Sequence, residues 1–423
     1  MKIFTSSIVV IGIICYILIY EIVFFFIEGT SFQPVTNLFK LSFPFILLFY
    51  DGFNPRLIFK NRYIIYYILF YTIFLFWLFV LNIMQSGLDF GLIEAFRQVP
   101  RYIFVIGLVQ FLSKKKEYRL KIIKIVVMYS LFLTLMHFIL LLNPGVSTIR
   151  LFGIEFAGPF GLLGNVNSKL FIPSIEFPIY RLAGWFNEPS NASAFLLASY
   201  FLAKSIQDKM PKSVLWKYAP IICLFGGLAA LSNAGYLAVS FSLIIISILN
   251  MKTHRNSQSL INYAFIFLLS SGGISLALFG RHFVADQWID SEVFSVITGS
   301  HGNYIDNPYY DPTAGRLDLM ELTFEKIKYH PMGIGFQTTA KNIPAGAPLF
   351  WLLLSGIPGL FLILLRESVM VFIAKKKYMD KEFIYQYGAI MVVMVQQLVY
   401  GQWNNAFYYF LISNIFVKIS TKE

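Results

Sequence analysis

Residues 62–84 read RYIIYYILFYTIFLFWLFVLNIM, one arginine followed by 22 positions without Asp, Glu, Lys or Arg. A helix of that length, rising 1.5 Å per residue, covers the roughly 30 Å hydrocarbon layer of a bilayer. Comparable apolar runs recur along all 423 residues. The composition agrees: 57% of residues are hydrophobic, 18% aromatic and 13% charged, against about 25% charged in soluble domains. Mean hydropathy is +0.67. These figures argue against a soluble enzyme with an apolar core. They predict an all-α polytopic membrane protein, a single integral-membrane domain over 1–423, because backbone in lipid must pair its own polar groups.

Twelve spans are expected, at 4–27, 38–50, 62–84, 101–113, 121–143, 190–206, 216–232, 235–250, 260–279, 346–365, 384–400 and 405–419. The second and fourth are short for a bilayer. Only Lys2 precedes the first run, and no small-residue cleavage site follows it, so it reads as an uncleaved helix. With the N terminus inside and strict alternation, cytoplasmic segments collect 23 of the 34 basic residues, while about 14 of the 22 acids fall outside. Arg366 is counted among the cytoplasmic cations. This is the positive-inside pattern. It places both termini in the cytoplasm and accounts for the net charge of +12 without a nucleic-acid partner. Cys15 and Cys223 lie inside apolar runs, which gives neither a disulfide framework nor a metal cluster.

Two outer loops are long, approximately 143–189 and 280–345. Their aromatics, Gly, Pro and sparse charges suggest packed structure containing short amphipathic helices, and loops of this length are commonly functional. In the second, Asp311-Pro312 is an N-cap followed by the proline favoured at a first helical position. From Gly315 to Tyr329, Leu317, Met320, Phe324 and Ile327 share one side, and Asp318, Glu321, Glu325 and Lys328 another. Pro331-Met332-Gly333-Ile334-Gly335 stops the helix. Arg316 in the first turn opposes the macrodipole. Either it faces an external anion or it pairs with Asp311 or Asp318. The first loop ends in RLAGWFNEPSNASA (181–194), where Ser190 or Asn191 can cap the next helix. That places Arg181, Asn187 and Glu188 at the membrane surface beside a helix N-terminus, with Trp185 as an interfacial aromatic. A solvated loop anchored by Trp185 is the simpler alternative.

Four stretches carry a family resemblance. RLAGWFNEPSNASAF (181–195) resembles the Arg-x-x-Gly-x-Phe…Pro-Ser signature of the O-antigen polymerase (Wzy-type) and O-antigen ligase superfamily. LSNAGYL (231–237) resembles its small-residue segment closing a helix. GRLDLMELTFEKIKYHPMGIGF (315–336) resembles its Gly-Arg helix ending in Pro-x-Gly-x-Gly, and LFWLLLSGIPGLFLILL (349–365) the following helix with its Gly-x-x-Gly. The order and spacing match, over the C-terminal 60% of the chain. The resemblance implies a GT-C-like glycosyltransferase on the outer face of the bacterial inner membrane. Its substrates would be oligosaccharides on polyprenyl diphosphate, with a flippase and a chain-length regulator as further partners beside membrane lipids.

The residues agree with a metal-independent, cofactor-free reaction: there is no Walker loop, no Asp-x-Asp pair and no His/Cys ligand spacing. A diphosphate leaving group calls for guanidinium, bidentate and permanently charged, which points to Arg181 and Arg316. The acceptor hydroxyl needs a general base. Glu188 is the first choice, with Glu321, Asp318 and His330 behind it. Asn187 and Trp185 complete the expected glycan and diphosphate contacts. Family ligases place a His-Asn pair about eleven residues before Gly-x-x-Gly, where this chain has Ala345-Gly346. That departure favours polymerase over ligase. A flippase or other transporter is a third reading, weakened by the long outer loops. Glu21, His137, Gln396 and Gln397 are intramembrane polar candidates. Tyr63, Tyr66 and Tyr67 read as interface anchors or lipid-facing packing.

Overall fold

The computed structural model describes residues 6–18, 33–59, 61–86, 88–142, 148–151, 154–157, 169–170, 179–180, 189–230, 232–253, 323–335, 347–374, 380–399 and 405–420. Helix dominates them. In chain order the long helices are α1 (Ser6–Leu18), α2 (Gln33–Phe49), α4 (Arg62–Ser86), α5 (Leu88–Lys114), α6 (Lys116–Leu142), α7 (Pro189–Gln207), α8 (Val214–Ala229), α9 (Asn233–Thr253), α10 (Ala347–Ile373), α11 (Lys381–Val399) and α12 (Ala406–Ser420), with the single-turn α3 (Pro55–Phe59) before α4. Residues 323–329 are helical as well. Two helices, Arg62–Gln85 and Pro348–Ile373, are long and apolar enough to cross a membrane, and five shorter apolar helices accompany them.

Several expected boundaries shift. The two short spans lengthen to Gln33–Phe49 and Leu88–Lys114. Each contains a proline, Pro44 or Pro100, and the helix continues past it where a sequence reading stops. The helix drawn at 346–365 runs on to Ile373, so Arg366 is helical and buried at 1% exposure, not in a cytoplasmic loop. In the first outer loop the described residues add strands that the sequence reading did not anticipate, and the short helices expected there fall on residues outside the described ones. Its described residues form two antiparallel hairpins, Thr148–Leu151 with Ile154–Ala157 and Lys169–Leu170 with Ile179–Tyr180. TIRL and IEFA are rich in β-formers, a period-two signal too short to stand out beside helical runs. The span expected at 260–279 and most of the helix expected from Gly315 lie outside the described residues.

Helix α12 occupies the centre. Ala406 to Val417 is buried without interruption, as expected of a helix apolar on every side. On one flank α12 packs on α5, which carries α2 and α4, and α4 carries α10. On the other it meets α11, which packs with α7 and α9, while α6 and α8 close that side. Small residues set the closest crossings. A Cβ on Gly107 of α5 would stand 3.0 Å from the Leu48 backbone of α2, and Gly226 of α8 lies against Thr134 of α6.

Candidate functional site

Helix α10 is broken at Gly356, whose φ of 68° and ψ of −171° are not helical. Only glycine adopts that conformation readily. Pro358 then opens the inner half-helix, a position where its missing N–H is not needed. The break frees backbone groups on both sides of Gly356, and in an apolar surround each would be costly. The Pro-Met-Gly-Ile-Gly segment takes up three of them. Ile334 N–H donates to Leu353 O at 3.0 Å, Gly335 N–H to Leu354 O at 2.9 Å, and Ile357 N–H donates to Pro331 O at 3.0 Å. The Leu354 carbonyl is the one whose helical partner would have been Pro358. From α4, Trp77 Nε1 donates to Ser355 O at 2.8 Å and Gln85 Nε2 to Gly333 O at 2.6 Å. Gly333 and Gly335 also have positive φ, 96° and 63°. A Cβ on Gly333 would lie 2.5 Å from Gly356 N and 2.6 Å from Leu354 O. The third and fourth resemblance stretches are therefore one interlocked unit.

The first two stretches also meet. Ser193 Oγ donates to Gly227 O at 2.9 Å, and Gly235 lies so close to Ser193 that no Cβ fits between them. Ser232 accepts the Gly235 N–H at 3.4 Å and so opens α9; Asn233 to Leu237 already belong to that helix, so the described part of LSNAGYL starts a helix and does not close one. Pro189 already belongs to α7, which places Ser190 and Asn191 in its first turn and not at its cap. Asn191 Oδ1 accepts from Gln396 Nε2 at 3.5 Å. Gln396 and Gln397 are both buried, so the polar pair noted in the sequence faces the bundle interior.

Of the site residues expected from sequence, His330 is described. It is exposed, next to Pro331, and its carbonyl accepts the Gly333 N–H at 2.9 Å. Arg181, Trp185, Asn187, Glu188, Arg316, Asp318 and Glu321 lie outside the described residues, as does Glu21; the side chain of His137 does too.

One polar cluster was missed by the sequence reading. Arg366 and Glu367, each 1% exposed, pair directly on α10, with Arg366 Nε donating to Glu367 Oε1 at 2.7 Å. The guanidinium carbon lies 4.7 Å from the Tyr71 ring centre and 5.6 Å from that of Tyr67. Tyr408 O–H donates to Glu367 Oε2, and the Tyr71 and Tyr409 hydroxyls share a hydrogen bond of 2.7 Å. Tyr67 is therefore a core residue and not an interface anchor, and Tyr63 is buried too, while Tyr66 is exposed. The signal was available: Tyr67 and Tyr71 are four apart on one helical face, and Tyr408-Tyr409 and Arg366-Glu367 are adjacent pairs within apolar runs.

Fold and contacts thus define a predominantly helical bundle with a braced helix break and a buried ion pair. No family model matches the chain, and no curated protein sequence matches it.

Proposed function

We propose that the chain is a polytopic inner-membrane glycosyltransferase with about twelve spans and cytoplasmic termini, and that it polymerises polysaccharide repeat units at the outer face. The growing glycan would pass from polyprenyl diphosphate to an incoming lipid-linked repeat unit. The observation that carries this reading is the pairing of the four resemblance stretches. They are separate in sequence yet interlock two by two, at Gly356 and at Ser193, and Arg181 and Arg316 lie on the chain N-terminal to Ser193 and to Pro331 respectively. Gly356 is nine residues from Ala347, about 14 Å along the helix axis. The Pro331–Gly335 segment covers the break with Gly333 and Gly335 buried against it, while Pro331 and Met332 stay exposed. Non-helical backbone inside a membrane is tolerated only where protein covers it or it lines a cavity.

In the reaction, Arg181 and Arg316 hold the diphosphate and take up the charge that develops on it. An acceptor hydroxyl oxygen attacks the anomeric carbon as the carbon–oxygen bond to diphosphate breaks. The electron pair leaves with the phosphate, and the proton passes to Glu188. One displacement inverts the anomeric centre. Asn187, Trp185, Asp318, Glu321 and His330 surround the glycan. The absence of a histidine near Ala345 favours polymerase over ligase.

The test is polymerisation by purified protein with lipid-linked repeat units. Arg181→Lys and Arg316→Lys keep the charge and lose the planar fork, so each should cut long-chain product strongly at unchanged expression. Undiminished long product from both would overturn the clamp.

A further inference from the structure

A second polar centre lies at the helix ends that the charge pattern assigns to the cytoplasm. Glu382, at the start of α11, accepts three cations. Arg119 of α6 and Lys209, from the turn after α7, share its Oε1, the latter at 3.0 Å. Lys418 of α12 reaches its Oε2 at 2.6 Å and Asp380 at 3.0 Å. Two carboxylates thus gather three cations and tie three helices and the turn after α7 together. Outside this hub, Lys116, Lys121, Lys212 and Lys217 are all exposed. Lys116 and Lys121 come from the start of α6, Lys212 from the α7–α8 turn and Lys217 from the first turn of α8, segments about 90 residues apart in sequence. Lys121 lies over the Tyr118 ring at 4.7 Å and Lys217 over that of Tyr218 at 5.6 Å.

A second observation concerns what runs away from these lysines. On α6, Ile125, Met128, Phe132 and Leu135 are exposed at helical spacing. On α8, which packs against α6, Ile221 and Phe225 are exposed along the same course. Cations at one end therefore adjoin an uncovered apolar face about two to three turns long. A soluble phosphate needs only the cations, and a nucleic acid would track charge without apolar contact. A diacyl phospholipid with an anionic headgroup fits both parts.

We propose that the Lys116/Lys121 and Lys212/Lys217 end of the α6–α8 pair is a binding site for an anionic phospholipid, with its phosphate diester on the lysines and its acyl chains along the exposed faces of α6 and α8. The site rests on the membrane-spanning reading above. Basic pockets between helix ends are a recurrent way to hold such headgroups, and each cation near the surface strengthens binding roughly fivefold.

The experiment uses full-length protein taken from membranes and analysed by native mass spectrometry with dioleoyl phosphatidylglycerol and dioleoyl phosphatidylcholine. The wild type should retain phosphatidylglycerol at least about tenfold better. Lys116→Gln/Lys121→Gln/Lys212→Gln/Lys217→Gln should bring the two lipids close to parity, while Lys326→Gln/Lys328→Gln, with the same chemistry elsewhere, should leave the preference intact. Equal retention of both lipids by the wild type, or an unchanged preference in the quadruple variant, would overturn the site alone. Displacement of phosphatidylglycerol by millimolar inorganic phosphate would reassign it to a soluble anion. Recovery of the protein in the soluble fraction would overturn the membrane reading and this site with it.

Discussion

The two halves of helix α10 meet the same difficulty, polar groups inside an apolar bundle, in different ways. In the outer half the groups are backbone, freed where Gly356 breaks the helix, and the Pro331–Gly335 stretch, with Trp77 of α4, pairs with them. In the inner half they are the charged side chains of Arg366 and Glu367, which pair with one another and with tyrosines from α4 and α12. The first solution is positional: it demands three glycines with positive φ and tolerates no added atoms. The second is chemical: it demands both partners, and would tolerate the loss of both together better than the loss of one. Burying an ion pair is weak evidence for stability, since desolvation can exceed the Coulombic gain. The outer junction should therefore be essential to the fold, and the inner pair removable.

The largest effects are expected where atoms cannot fit. Gly356→Ala or Gly333→Ala forces a Cβ against backbone, 2.5 Å from Gly333 N or Gly356 N respectively. With the strain of positive φ added, each should cost about 3 kcal/mol or more, read as loss of monodisperse protein after detergent extraction. A Gly356→Ala protein with wild-type thermal stability would break the positional half of the comparison. Next comes the ion pair. Arg366→Met and Glu367→Met, each leaving one buried charged group alone, should cost about 3–5 kcal/mol apiece. The Arg366→Met/Glu367→Met double variant should recover most of that. Additive losses in the double-mutant cycle would contradict the chemical half.

The contrast explains what could be read from sequence. Apolar runs such as 62–84 announce their helices, because length and hydropathy are local properties. The Gly-x-Gly of 333–335 and the Gly-x-x-Gly of 356–359 were visible as motifs. Their interlocking was not, because it depends on which carbonyl loses its partner when Pro358 cannot donate. Arg366 was misplaced because a basic residue at the end of an apolar run ordinarily marks a cytoplasmic boundary. Only the burial of Tyr67, Tyr71 and Tyr408 around it discloses an interior site. The strand pair Thr148–Leu151 with Ile154–Ala157 stayed hidden because four-residue strands carry too little periodicity to compete with neighbouring runs.

Smaller effects sharpen the comparison. Trp77→Phe removes the Nε1 donor to Ser355 O and keeps most of the ring, so about 1 kcal/mol should be lost. A much larger loss would mean that Trp77 holds the break through packing. Glu382 provides the less deeply buried counterpart to Glu367, its side chain 14% exposed. Burial alone would raise its carboxyl pKa, but Arg119, Lys418 and Lys209 reverse this and hold it below the usual range. A depressed carboxylate stabilises the fold above its ordinary value of 4.5 and loses that contribution as pH falls through its lower folded value. Glu382→Gln should therefore lower thermal stability at pH 7 by only about 1 kcal/mol, as partly exposed pairs do, and the difference from wild type should vanish at acid pH. A gap that widened on acidification would reverse the assignment.

The central claim, that this bundle joins lipid-linked repeat units into long polysaccharide, is tested most directly in a strain lacking the protein. Its surface glycan should collapse to single repeat units attached to lipid A, with long chains restored by the wild-type chain and not by the Arg181→Lys/Arg316→Lys variant. A strain whose lipid A carries no repeat units at all would mark the protein as a ligase, and undiminished long chains would contradict the account.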